Sequence, residues 1–126
     1  GEAPLHNFVR IRSKDMKMMQ MLVDKGADVN ARDKTDETTS LHFAVNNEKN
    51  LMEMVHMLLD KGAEVNARNK HGVTSLNLAV GNKQMESVRV LLNKGADVNA
   101  RSDSGWTPLY VAILKQDMEM VKMLLD

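Results

Sequence analysis

At 126 residues and 43% hydrophobic, the chain has the size and apolar content of one ordinary globular domain. Its 17 basic and 17 acidic residues cancel, so bulk charge gives no pull toward nucleic acid or an anionic membrane. The absence of cysteine excludes a disulfide framework, a thiolate nucleophile and cysteine-based zinc sites, leaving four scattered histidines as metal ligands.

No apolar run reaches membrane-spanning length, and the opening GEAPLHNFVR lacks the charged start and apolar core of a secretory leader. An intracellular, cytoplasmic protein is expected. Gly1 in place of Met points to a fragment of a longer chain.

Along the chain one phrase returns: KGADVNA at 25–31, KGAEVNA at 61–67 and KGADVNA at 94–100. The steps from Gly26 to Gly62 and from Gly62 to Gly95 are 36 and 33 residues, so the period is near 33 with three added residues in the second copy. One falls in DKTDET, because Arg32 to Thr39 is seven steps where Arg68 to Thr74 and Arg101 to Thr107 are six. The other two fall between Ala44 and Val55, and both places are connections, where added length costs little.

The copy TSLNLAVGNKQMESVRVLLNKGADVNARSDSG shows the elements of one unit. Thr74 is the N-cap of a short helix carrying Leu76, Leu78, Ala79 and Val80. A second helix carries Met85, Val88, Val90, Leu91 and Leu92 and stops at Gly95. The polar ADVNARSDSG follows as an extended hairpin, reversing at Asp103 and Gly105. Such a unit is apolar on two opposite sides, so it must stack on copies of itself.

The segments APLH at 3–6, TSLH at 39–42, TSLN at 74–77 and TPLY at 107–110, each followed by a helix of the VHMLLDKGAEVNA type, resemble ankyrin repeats. The resemblance covers the whole chain as one domain, residues 1–126, in four units: 1–30, 31–66, 67–99 and 100–126. It implies an all-α solenoid of stacked helix-turn-helix units joined by extended β-hairpin-like loops. Two departures stand out. The family's turn glycine between the helices is replaced by Lys83 and Gln116, where a left-handed backbone would cost roughly 1 kcal/mol each, so a remodelled turn is expected. Neither end carries a polar capping unit, which implies a longer array, a covering partner or self-association through the ends.

Most candidates for chemistry reduce to framework. Ten of the eleven methionines fall into columns of the second helices: Met16, Met52, Met85 and Met118; Met21, Met57 and Met123 with Val90; Met18, Met54 and Met120 with Ser87. Core packing is expected there, and no metal site. His6 and His42 share a column with Asn77 and Tyr110, and the resemblance makes that histidine a structural hydrogen-bonding element. His56 is expected on an outer, solvated side, whereas His71 in NKHG has no evident framework role. Asp28, Glu64 and Asp97 with Asn30, Asn66 and Asn99 recur at the repeat interval, so they form a ladder of turn-stabilising residues rather than a catalytic cluster. The resemblance also nominates Asn30, Asn66 and Asn99 for hydroxylation, because these segments are similar to ankyrin sites modified by the oxygenase that inhibits hypoxia-inducible factor. Lys25, Lys61 and Lys94 with Arg32, Arg68 and Arg101 are interleaved with acidic residues, which is a solvated mixture and not a phosphate stripe. No glycine-rich phosphate loop occurs.

Where the copies differ, the frame leaves residues free to recognise something. The hairpin tips read DKTDET, NKHGVT and SDSGWT. The resemblance places such tips along a concave partner-binding face. The expected contact residues are Lys34, Thr35 and Asp36, then Lys70, His71 and Val73, then Asp103, Ser104 and Trp106. Asn46, Asn82, Leu114 and Lys115 at the far ends of the first helices are secondary candidates. A non-catalytic protein-binding module is therefore expected, with no cofactor, no nucleic-acid partner and no membrane insertion. Its rivals are the recognition segment of a larger enzyme, channel, toxin or pathogen effector, and an enzyme hidden in the groove, for which no nucleophile–base constellation is present.

Overall fold

The computed structural model describes residues 16–46 and 52–126, and gives seven helices among them. These are α1 (Met16–Asp24), α2 (Ser40–Val45), α3 (Met52–Asp60), α4 (Ser75–Gly81), α5 (Met85–Asn93), α6 (Pro108–Leu114) and α7 (Met118–Leu125). No strand occurs among the described residues. The APLH segment with His6, the two-residue insertion after Ala44, and the side chains of Met16 and Met18 lie outside the description.

Each short helix starts on a threonine with extended backbone. The hydroxyls of Thr39, Thr74 and Thr107 accept the N–H groups of His42, Asn77 and Tyr110 at 3.4, 3.2 and 3.1 Å. A cap of this kind contributes about 1 kcal/mol. In the first two helices His42 Nδ1 and Asn77 Oδ1 return the bond by accepting the threonine N–H, at 3.2 and 3.0 Å. In α6 Pro108 occupies the first helical position, whose N–H needs no partner.

The longer helices are amphipathic, burying Met54, Val55 and Leu58 from α3, Val88 and Leu91 from α5, and Met120 and Leu124 from α7. Short helices pack in one row, α2 on α4 on α6; long helices form a second row, α1 on α3 on α5. Ala44, Ala79 and Ala112, each at most 1% exposed, keep the short helices close. The core is thus a continuous layer between the rows, and no single helix pair could form it.

The methionine columns are core where a neighbour covers them. Met54 and Met120 are buried beside the equivalent Ser87, and Met57 is buried; Met52, Met85 and Met123 are half-buried. Met21 and Met118, at 61% and 64% exposure, are the exceptions. The Ser87 hydroxyl lies 3.2 Å from the Met52 sulfur, so this buried donor is used across the α3–α5 seam.

The expected remodelling between the helices does not occur. Lys83 and Gln116 keep the left-handed backbone, with φ of 58° and 56°. The reason lies in the closure that this geometry permits. Lys83 and Gln84 donate to the carbonyls of Val80 and Ala79 at 3.1 and 3.0 Å, and Gln116 and Asp117 to those of Ile113 and Ala112 at 3.0 and 3.1 Å. Two bonds at each helix end, with the packing of the pair that follows, outweigh roughly 1 kcal/mol of strain. Glu37, with φ of 56°, likewise stands at a hairpin position held elsewhere by glycine. Lys83→Gly and Gln116→Gly should each raise stability by roughly 0.5–1 kcal/mol, relief of strain exceeding the added unfolded-state entropy. Urea midpoints with unchanged slope would register it.

Candidate functional site

The first residue of each tip organises it. Asp33 Oδ1 accepts the N–H groups of Asp36 and Thr38 at 2.8 and 3.3 Å, and Asn69 Oδ1 those of His71 and Val73 at 2.8 and 3.0 Å. Ser102 does the same more weakly, accepting Trp106 N–H at 3.3 Å. Successive tips are then tied backbone to backbone: Lys70 N–H donates to the Asp36 carbonyl at 2.7 Å and Asp103 N–H to the His71 carbonyl at 2.9 Å. The Arg32 guanidinium donates to the Glu37 and Arg68 carbonyls, spanning two tips. At Gly72 the approach is so close that an added Cβ would lie 2.5 Å from Asp103 Oδ1 and 2.6 Å from the Arg68 guanidinium.

This backbone ladder leaves side chains outside. Lys34, Thr35, Asp36, Lys70, His71, Ser104 and Trp106 are exposed. Asp103 is also exposed, with its carboxylate 3.7 Å from Arg68. Val73 is half-buried, and its carbonyl accepts from His42 Nε2 at 2.9 Å. Trp106 stands edge-on to Tyr110, with ring centroids 5.6 Å apart and planes at 84°. Both rings are close to half exposed, 45% and 47%. Asn46 and Asn82 are joined through their amides at 2.7 Å, while Leu114 and Lys115 are exposed at the end of α6.

Between units the asparagines act as clamps rather than as supports of their own turns. Asn30 donates from Nδ2 to the Gly62 carbonyl at 3.0 Å and accepts Glu64 N–H on Oδ1 at 2.7 Å. Asn66 repeats this with the Gly95 carbonyl at 3.2 Å and Asp97 N–H at 2.7 Å. Asn99 lies at the equivalent place after α5, its own N–H donating to Asp97 at 2.9 Å. Two of the repeated lysines are likewise committed between units: Lys61 pairs with Asp24 at 3.9 Å and Lys94 with Asp60 at 3.5 Å. Among the described residues no His, Asp and Glu group could hold a metal, and no helix is long and apolar enough to cross a membrane.

The family model Ankyrin repeats (3 copies) matches residues 1–69 and 41–126. The chain belongs to the ankyrin-repeat family. No curated protein matches the sequence significantly. Ankyrin repeats are in general protein–protein interaction modules and typically non-catalytic.

In this ankyrin array the histidine of the first helix joins two units. Because Nδ1 of His42 accepts from Thr39, the proton sits on Nε2, which donates to the Val73 carbonyl of the next unit. Burial pushes its pKa below the ordinary histidine value and Arg32 adds to this, while the bond to Val73 opposes them. In the next unit Asn77 makes the same capping bonds, but its Nδ2 is buried without a partner. The amide is shorter than an imidazole and stops short of the Trp106 carbonyl.

Sequence comparison missed two features. Phe43, Leu78 and Val111 make a half-buried apolar row along the short helices, one per unit. Tyr110, grouped by its column with buried His42 and Asn77, is exposed and forms half of the aromatic pair. The i to i+4 spacing of Trp106 and Tyr110 was the available signal.

Two expectations follow. Asn77→His should reach the Trp106 carbonyl and raise stability by about 1 kcal/mol, measured as a higher urea midpoint. Since His42 is neutral in the fold and protonates more readily when unfolded, its contribution is complete above about pH 6.5 and declines as pH falls below that value. His42→Asn should be less stable at neutral pH by about 1 kcal/mol and lose this component of the pH dependence, which denaturation at paired pH values would reveal.

Proposed function

We propose that the chain is a non-catalytic protein-binding module whose contact face comprises the hairpin tips and the half-buried row of the short helices. The observation that carries this reading is the backbone ladder joining the tips, which holds Lys34, Thr35, Asp36, Lys70, His71, Asp103, Ser104 and Trp106 in place without using most of their side chains. A fixed backbone removes the ordering cost that a free loop would incur on binding. Family membership supports the same class of function.

Trp106 is the expected energetic centre. It is aromatic, close to half exposed and packed edge-on against Tyr110, which suits it to enter a partner's pocket. Val73 contributes less, because its side chain is half-buried. The partner is a protein surface, and the binding segment serves equally a free-standing adaptor or a larger protein carrying it.

The test is capture of partners from lysate by the wild-type chain, by Trp106→Ala, by the Lys70→Ala, His71→Ala pair, and by the outer-helix controls His56→Ala and Arg89→Ala. Circular dichroism first establishes that all are folded. Trp106→Ala should weaken the specific partner by about 2 kcal/mol or more in a subsequent titration, while the controls bind as wild type. Loss confined to the controls would move the site to the outer helices.

A further inference from the structure

The outward side of the long helices carries charge in an order that stacking does not require. In the first turn of α3, α5 and α7 the exposed column reads Glu53, Glu86 and Glu119. The next exposed column, three residues on, reads His56, Arg89 and Lys122. In α1 the same columns read Lys17 and Gln20, so the pattern spans the three helices that follow it. Glu53, His56, Glu86 and Arg89 belong to units with a neighbour on each side, so their exposure does not depend on where the array ends.

Residues three apart share a helix face and can pair. Among the described residues none of these six side chains does so, although Lys61 and Lys94 nearby are both paired. A glutamate in the first turn suits the positive end of a helix, which accounts for the acidic stripe alone. The basic stripe lies a turn further along. Packed helices stand about 8–10 Å apart, so each stripe is a line of three side chains at that spacing. Such a surface is complementary to itself. A half-turn about a line lying between the stripes and parallel to them sets the glutamates of one copy over the basic stripe of the other, along both edges at once. A half-turn about a line across the stripes sets glutamate on glutamate instead.

We propose that this outer face binds a second copy of the chain in a twofold dimer whose axis runs along the array. Glu53, Glu86 and Glu119 of each copy face His56, Arg89 and Lys122 of the other, and the two arrays run in the same direction. The contact is isologous, so it closes at two copies. Exposed ion pairs are individually weak and screened by salt, so charge selects the orientation more than it supplies affinity. The dimer uses none of the tip residues and does not rest on the partner reading above.

Sedimentation equilibrium of the chain, at low salt and again at high salt, tests this with Glu86→Lys, Arg89→Glu and the double variant carrying both. Lys25→Glu, a reversal of an exposed charge outside the stripes, is the control for net charge. All these positions are exposed, so the variants should fold as wild type, checked by circular dichroism. The wild-type mass should rise with concentration to that of a dimer and no further at low salt, and fall toward the monomer at high salt. Each single stripe variant should associate at least about tenfold more weakly, because like charges then meet at two symmetric places. The two single variants mixed together should dimerise, since every facing pair is again opposite in sign. The double variant should dimerise as wild type for the same reason, and so should Lys25→Glu. A wild-type chain that stays monomeric into the millimolar range at low salt overturns the proposal and leaves the stripes as a solvated surface. Undiminished association of either single stripe variant, or failure of the mixture or of the double variant to dimerise, overturns it as well.

Discussion

Each joint between successive helix pairs is keyed by one asparagine amide that stands in one unit and satisfies the backbone of the next. Asn30 and Asn66 each give a hydrogen to a glycine carbonyl and take one from an N–H two residues on. These groups lie in the loop just past the end of a helix, where no helical or sheet ladder pairs them. Only an amide offers donor and acceptor side by side at this reach, since a carboxylate would repel the carbonyl and a glutamine is one carbon longer. Two bonds at about 1 kcal/mol each make the joint a sizeable share of what holds one unit to the next. KGADVNA recurs because its parts are coupled: the glycine and acidic residue of one copy are gripped by the asparagine of the copy before.

Apolar coverage then follows from the register that the clamps impose. Met54, Ser87 and Met120 occupy one column, yet all are buried. The smaller serine is tolerated because its hydroxyl turns to the Met52 sulfur, and the flexible methionine fills space that a branched residue could not. The first-helix column behaves differently. His42 bridges two units, Asn77 caps its own helix but leaves an amide hydrogen donor unmet, and Tyr110 abandons the polar role altogether. Polar tethering at this column therefore weakens along the array, while apolar and aromatic character increases.

Much of this was legible in the sequence. The period of near 33, the threonine caps and the glycine stops fixed the fold, because each is a local signal repeated in register. Trp106 at a tip followed from comparing copies. The remainder required contacts between units. Asn30 reads as a turn residue in its own segment, and its true partners are 32 and 34 positions away. Lys83 and Gln116 were expected to escape the left-handed backbone because propensity is a local quantity, whereas the helix closure and packing that hold them are not. Tyr110 was hidden by its own column, since shared position implied shared burial.

The tips show why framework and recognition can vary separately in one short stretch. Their backbone is set by a side-chain acceptor at the first position, by the left-handed residue near the end, and by main-chain bonds to the neighbouring tip. Main-chain bonds do not depend on side-chain identity, so Lys34, Lys70, His71 and Ser104 can change without loosening the ladder. Gly72 is the place where this freedom stops, because Asp103 and Arg68 crowd the space a side chain would fill. A partner therefore meets a surface whose chemistry is variable but whose spacing is held by the joints beneath it.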